Sequence, residues 1–454
     1  MVDNEPDNAD DEFRADDEFT DMLREILSGN SSIDPSQLAG AAGLPSDPAA
    51  LQQLLGQLQN AIRNGADSIN WNLALEQGKE LAAKNAKPTD DAQRAALEQA
   101  FHVAALWLDE VTDISALVQE PSLIGRPEWV RLTMPLWTQL AEPVATSISN
   151  ALTQVLQEQA PEEMRAMLAG AGNVVRAVGG TLFAMQLGQV VGQLAAEVVS
   201  GGDVSIPLLE DGRAALLPQN VAEFGDGLDI PTDQVALYLA VRELAHARLF
   251  RHAKWLRLQL LTSITEFAKG IHIDTQRMQE LAESFDPANP EELRQAMVSG
   301  ALIPPKTDAQ LAALSRLETM LALIEGWVDV VTAKASARLP KTDAVAETVR
   351  RRRASGGPAE SAFATLVGLE LRPRRLREAA AMWQAVTDAA GDRGRDALWS
   401  HPDLLPTADD LDDPAALVAR LTAASRGEEP QLDEVDQALE DLLRDDGSDR
   451  PTES

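Results

Sequence analysis

Cysteine is absent from all 454 residues, which excludes a disulfide scaffold, a thiolate zinc site, a cysteine nucleophile and an iron–sulfur cluster. Aromatic residues are scarce at 4%, so Leu, Ala and Val must supply most of the core volume. Ala and Leu lose little on entering a helix and β-branched residues are few, so the expected fold is mainly α. The N-terminus lacks the basic start and apolar run of a secretory signal, and the cytoplasm is the expected compartment. A long apolar run free of polar residues is missing too. The best membrane candidate, Ala177 to Ala196, carries Gln186, Gln189, Gln193 and four glycines, and reads as a buried, closely packed helix instead of a span. Positive charge is also in short supply. Of the net charge of −33, residues 1–22 contribute −9 and residues 428–454 another −9, leaving about −15 for the body between them. Such a balance argues against nucleic-acid binding, which needs a basic surface, and marks both acidic termini as disordered tails.

What is present is a succession of helical patterns. Residues 1–65 read as acidic tail and linker with short amphipathic helices at Phe19–Leu27 and Ala49–Ile62. Residues 66–202 read as a helical N-terminal part, with proline breaks at Pro121, Pro127 and Pro161. Residues 203–345 hold the expected core, 346–427 a C-terminal helical part, and 428–454 the acidic tail. Within the core, residues 203–218 carry a small sheet or hairpin signal, with Asp211-Gly212 at the turn and Pro207 suited to an edge strand. Thr232 is the expected N-cap of a helix through Val235, Leu239, Glu243 and His246. Helices at Leu258–Gly270 and Asp308–Ala337 follow, and Arg350–Pro358 reads as a loop.

Chemistry concentrates between Arg242 and Glu266. Arg242-Glu243-Leu244-Ala245-His246 aligns with the His-Glu-x-x-His zinc helix, in which two histidines one turn apart hold the metal and the glutamate activates its water. Glu243 is the candidate general base and His246 a candidate ligand. The first position is Arg242, whose guanidinium has no lone pair to donate. His252 stands where one zincin branch places its third histidine, although Leu249 replaces the glycine that would turn the chain. Glu266 stands twenty residues after His246, where another branch places a glutamate on the next helix. An unbroken helix would separate those two by about 30 Å, so a turn between them is required. Glu325 and Asp329 lie one turn apart on the Asp308–Ala337 helix, a spacing that by itself reads as a solvated face. The remaining histidines, His102, His272 and His401, have no motif partners.

These residues, with Trp255-Leu256, Glu325-Gly-Trp-Val-Asp-Val-Val331, Gly357-Pro-Ala-Glu360, Leu366-Val-Gly-Leu-Glu370 and Trp399-Ser-His-Pro-Asp403, make the chain resemble the zincin-like metallopeptidase type 2 family over about residues 90–420. The resemblance implies a mainly α, zincin-like helical body with a small sheet, a peptidase-type cleft, zinc as cofactor and a peptide or protein as substrate or partner. On that reading Glu243 is the base, His246, Glu266 and His252 are the metal ligands, and Glu325 and Asp329 become further cleft carboxylates. The bland alternative is a catalytically inactive zincin fold serving as a peptide-binding or scaffold module. There the Arg242 guanidinium supplies the metal's charge and pairs with Glu243 or Glu266. The arginines at 350–353, 372, 374, 375 and 377 are the one basic concentration, read as a solvated loop and helix face or a contact for the acidic tails. No aromatic interleaving supports base stacking there.

Overall fold

A computed structural model describes residues 69–159, 165–269, 306–354, 358–369 and 374–426. The two N-terminal amphipathic helices, His272 and both acidic tails lie outside the described residues. Among those described, 74% are helical, in 13 helices, so the mainly α expectation holds. In chain order the first seven are α1 (Trp71–Ala83), α2 (Asp91–Asp109), α3 (Arg126–Gln159), α4 (Arg165–Leu194), α5 (Pro218–Gly225), α6 (Thr232–His252) and α7 (Lys254–Lys269). They are followed by α8 (Asp308–Ala335), α9 (Thr342–Ala354), α10 (Pro358–Val367), α11 (Leu376–Ala397), α12 (Ala408–Asp412) and α13 (Pro414–Ser425).

Local chemistry accounts for several boundaries. Asp90 caps α2 by accepting from the Gln93 amide at 2.7 Å, and Thr307 with Gln310 forms a reciprocal capping box on α8. Pro127 sits in the first turn of α3, where its missing N–H costs nothing, so it starts the helix where a break was expected. α6 begins at Thr232 with Pro231 in the cap position, one residue from the expected cap.

α1 and α4 pack at close range because glycines face glycines and alanines. A Cβ on Gly188 would lie 2.6 Å from the Ala74 carbonyl oxygen, and one on Gly192 would lie 2.9 Å from that of Gly78. No helix among the described residues is long and apolar enough to cross a membrane. Elsewhere the scarce aromatics are concentrated in the core. Trp129, Trp137, Trp327, Trp383 and Trp399 are fully buried, Trp383 stacks on Trp399, and Trp327 meets Trp399 edge-on.

The small sheet is present, with one of its two strands inside the expected span and the other from residues 122–123. β1 (Ser122–Leu123) runs parallel to β2 (Ala215–Leu216), pairing Ser122 with Ala215 and Leu123 with Leu216. On the other side of β2, Ser200 bridges Leu216 in antiparallel sense, with Gly201 donating to the Ala215 carbonyl at 2.9 Å. The expected hairpin across 203–218 therefore does not form. Residues 210–212 make a short 3₁₀ turn with Gly212 at φ 63°, but the residues before it are not a strand. Pro207 has no N–H to give a ladder, Ser205 stands at φ 62°, and β2 already has neighbours on both edges.

The arginine-rich stretch is also not a loop. Arg350 to Arg353 form the last turn of α9; Arg350, Arg352 and Arg353 point to acceptors in the body, and Arg351 is exposed and pairs with Glu347 of its own helix. Ser355 to Gly357 lie outside the described residues.

Candidate functional site

α6 is the element from which the site is built. Every residue from Tyr238 to Phe250 is buried, so this helix has no solvated face. Three charged side chains and a histidine lie inside that stretch, and each has to find its partner within the protein. Arg248 turns away from the others and donates to Asp109 at 2.7 Å and to the Ala105 carbonyl, tying α6 to α2.

Arg242 and His246, one turn apart, converge on Glu325 in the middle of α8. Arg242 is ion-paired to one carboxylate oxygen of Glu325, and His246 Nε2 lies 2.9 Å from the other. Arg353, from the end of α9, reaches that second oxygen at 2.9 Å. Glu325 is fully buried. Burial alone would raise its pKa, but Arg353, Arg242 and His246 outweigh that and hold it well below the usual carboxylate range. The His246 pKa is lowered as well, but for a different reason: burial disfavours its charged form, Arg242 and Arg353 add to that effect, and Glu325 only partly opposes it. Its Nδ1 faces the Arg242 carbonyl at 3.1 Å, so a neutral ring satisfies one of its two acceptors at a time.

Glu243, next to His246 round the helix, points towards the sheet. Its two carboxylate oxygens accept from the backbone amides of Gly202 and Ala215, each at 2.8 Å. Burial pushes its pKa up to about 7, with the hydrogen bonds from Ala215, Ser200 and Gly202 opposing the shift. The Gly201-Gly202 pair makes this approach possible. A Cβ on Gly202 would stand 2.9 Å from the His246 Cβ and 3.0 Å from a Glu243 oxygen, and one on Gly201 would stand 2.5 Å from Leu209.

A ring of further charges encloses Glu325. Asp203 accepts from the Val199 amide at 3.0 Å and faces Arg352 at 3.3 Å and Arg353 at 3.7 Å. Burial would raise the Asp203 pKa, but Arg352, Arg353 and that amide bring it below the ordinary value. Asp329 takes a forked contact from Arg350, at 2.8 and 3.2 Å to one oxygen. Tyr238, the chain's one tyrosine, sits a turn before Arg242 and is fully buried; its pKa is pushed up to about 12, first by burial. The cluster thus holds Arg242, Arg350, Arg352 and Arg353 against Asp203, Glu243, Glu325 and Asp329. With Glu243 ionised and His246 neutral it carries no net charge.

The residues expected from the sequence therefore divide into two groups. Arg242, Glu243, His246, Glu325 and Asp329 gather around α6 and α8. His252 is the last residue of α6 and is exposed, while Ala253 breaks the helix at φ −92° and ψ 69° without glycine or proline. That break supplies the turn between the two helices, but Glu266 on α7 is exposed and lines an open surface groove of about 470 Å³ with Gln139, Arg257, Leu261 and Thr265. Arg242 pairs with Glu325, and neither Glu243 nor Glu266 takes that place. Asp203, Tyr238 and the Gly201-Gly202 pair were not singled out from the sequence.

A mostly helical body with a short sheet edge set against a buried Arg-Glu-x-x-His helix is of the zincin-like class. The profile of the zincin-like metallopeptidase family matches residues 69–418, and the chain belongs to that family. A crystal structure from Chloroflexus aurantiacus, described as "a putative hydrolase with a novel fold", has a similar fold. The two are 19% identical with a TM-score of 0.54, over 78% of this chain and 99% of that one. No curated protein sequence matches the chain.

The zinc that the family implies does not fit the donors in this arrangement. Three protein ligands with free lone pairs are the usual catalytic set. Here one of the two histidine positions is a guanidinium. Both oxygens of Glu325 are engaged by Arg242, Arg353 and His246, and each oxygen of Glu243 already accepts from a backbone amide. No group of three His, Asp or Glu side chains among the described residues is arranged to hold a metal ion. A divalent ion would also add two charges to a cluster already in balance.

Proposed function

We propose that this chain is a zincin-fold protein in which an internal ion-pair cluster takes the place of the metal, and that it acts by binding a peptide or protein segment. The observation that carries this reading is the Glu325 carboxylate, buried and held by Arg242, Arg353 and His246. A buried carboxylate so enclosed needs no further cation, and Arg242 stands where the metal helix would present its first imidazole.

Metal analysis tests it. Protein purified without chelator or metal-affinity resin is expected to carry no stoichiometric zinc. The double variant Arg242→His/Arg353→Ala places two imidazoles one turn apart beside a released Glu325, and is expected to gain zinc that a further His246→Ala change removes. Stoichiometric zinc in the unaltered protein, lost in His246→Ala, would overturn the reading.

One observation favours hydrolysis as the second reading. Glu243 has its pKa raised to about 7, in the range that suits a general base at neutral pH. On that reading the protein cleaves peptides, and Glu243→Gln abolishes the cleavage. A protein that binds peptides but leaves them intact, with or without added zinc, counts against it.

A further inference from the structure

The cluster receives most of its positive charge from one short element. α9 buries Val345, Ala346 and Val349 through its first half, while its last turn attaches through guanidinium groups. Arg350 grips Asp329, Arg352 reaches Asp203 and the Glu197 carbonyl, and Arg353 reaches Glu325, the Asp203 carbonyl and the Ser205 hydroxyl. On this turn Arg351 points to solvent, 78% exposed and paired with Glu347 of its own helix, while the other three arginines face the body. Arg350 is 32% exposed, Arg352 25% and Arg353 10%, whereas Arg242 behind them is 6% exposed. The three arginines are thus an outer layer laid over an acidic wall, and only Arg242 belongs to the interior.

A second observation shows that this layer does not complete the site. The Tyr238 hydroxyl is fully buried, lies on the same stripe of α6 as Arg242 and His246, and has no hydrogen-bond partner among the described residues. The Nε of Arg353 is likewise unpaired. Buried polar atoms without partners cost free energy that a better-fitting occupant would recover.

We propose that the wall formed by Asp203, Glu325 and Asp329 is a receptor for an arginine-bearing segment of a partner protein, and that the last turn of α9 is its resident occupant. This rests on the reading that no metal sits between these carboxylates. Arginine is specified over lysine because its planar fork meets two acceptors at once, as Arg350 does with the two oxygens of Asp329, and Arg353 does with Glu325 through one terminal nitrogen and the Asp203 carbonyl through the other. The partner's arginines displace those of α9, while Val345 and Val349 keep the first half of the helix in place. The tethered occupant makes the free site rare, so apparent affinity is reduced by the fraction of time the turn is open.

The test uses the full chain and a fluorescein-labelled synthetic peptide with the sequence of residues 342–354, followed by fluorescence polarisation. Arg350→Ala/Arg352→Ala/Arg353→Ala is expected to bind the peptide about tenfold or more tightly than the unaltered protein, as for a turn that opens less than about a tenth of the time. Adding Asp203→Asn or Asp329→Asn should return binding to background, and a peptide with lysine at every arginine should bind more weakly. If the folded triple variant binds no tighter than the unaltered protein, or the Asn variants bind equally well, the proposal fails; the second result would mean attraction to the net charge alone. Should the triple variant not fold, tryptic cleavage of the unaltered protein after Arg350 to Arg353 reports displacement instead. The arginine peptide should raise the cleavage rate, and the lysine-for-arginine peptide at the same sub-saturating concentration should raise it less; no rise with the arginine peptide overturns the proposal. Stoichiometric zinc in the same preparation would overturn the underlying reading and this proposal together, whereas a zinc-free protein that binds no peptide overturns this proposal alone.

Discussion

At the scale of single residues the balance turns on Arg242 and Glu243, neighbours in sequence whose side chains part, Arg242 to Glu325 and Glu243 to the sheet-edge amides. Replacing Arg242 by Ala leaves Glu325 fully buried with one guanidinium fewer, and removing one partner of a buried pair costs about 3–5 kcal/mol. Urea unfolding should show a loss of that size, and Glu325→Gln in the same chain should recover part of it by removing the abandoned charge. An Arg242→Ala protein with an unchanged midpoint would mean that Arg353 and His246 suffice. Glu243 gives a pH signature of its own. Its pKa in the folded protein, about 7, lies above the ordinary 4.5, so the native state keeps this proton where the unfolded chain has released it. Stability from this group is therefore greatest below about pH 4.5, falls as pH rises to about 7, and is level above that, a total of about 3 kcal/mol. Glu325 has the opposite sign: its lowered pKa contributes stability above 4.5 that is lost as pH falls further. Comparing urea midpoints of Glu243→Gln and the unaltered protein from pH 4.5 to 7 isolates the first effect. The variant should lack the downward slope, and parallel curves would show that Glu243 titrates normally.

At the scale of elements, close backbone approach sets the tolerances. Gly188 of α4 has the Ala74 backbone where its Cβ would be, so Gly188→Val must push α1 away and is expected to cost about 1–3 kcal/mol, read from the melting curve. The polar-flecked, glycine-rich run from 177 to 196 announced that packing, because glutamine and small residues suit a buried helix interface and not lipid. The α8 boundary was legible from periodicity, and α6 from Val235 and Leu239. The strand pairing was not: β2 takes its neighbours from residues 122–123 and 199–201, far from the Asp211-Gly212 turn that signalled a hairpin. Nor was the fate of α9. Four consecutive arginines look solvated in any one-dimensional reading; Arg351 is, but Arg350 and Arg353 find acceptors 21 residues away at Asp329 and 150 residues away at Asp203. The motif positions Glu243 and His246 were legible as a pair, but their separate partners required the fold. Two local signals could have found more. The chain's one tyrosine stands a turn before Arg242, and Gly201-Gly202 precedes an aspartate just where a sheet edge meets the helix.

At the scale of the whole molecule, the net charge of −33 and the buried arginine cluster respond to salt in opposite directions. The body and tails repel themselves, and screening over a Debye length of about 10 Å at 0.1 M ionic strength relieves that repulsion. Melting temperature should therefore rise as sodium chloride is increased from low concentration towards about 0.15 M. The turn that carries Arg350 and Arg352 is held by charge pairs that are a quarter to a third exposed, and screening weakens those. Tryptic cleavage after Arg350 to Arg353 should consequently quicken over the same range of salt in which the fold as a whole grows more stable. The contrast separates a local release from global unfolding, since a protein that became more open everywhere would lose both together. If cleavage slowed in step with the rise in melting temperature, the last turn of α9 would be held by the same forces as the rest of the body. It would then be a fixed part of the fold, and the acidic wall beneath it would be closed to any partner.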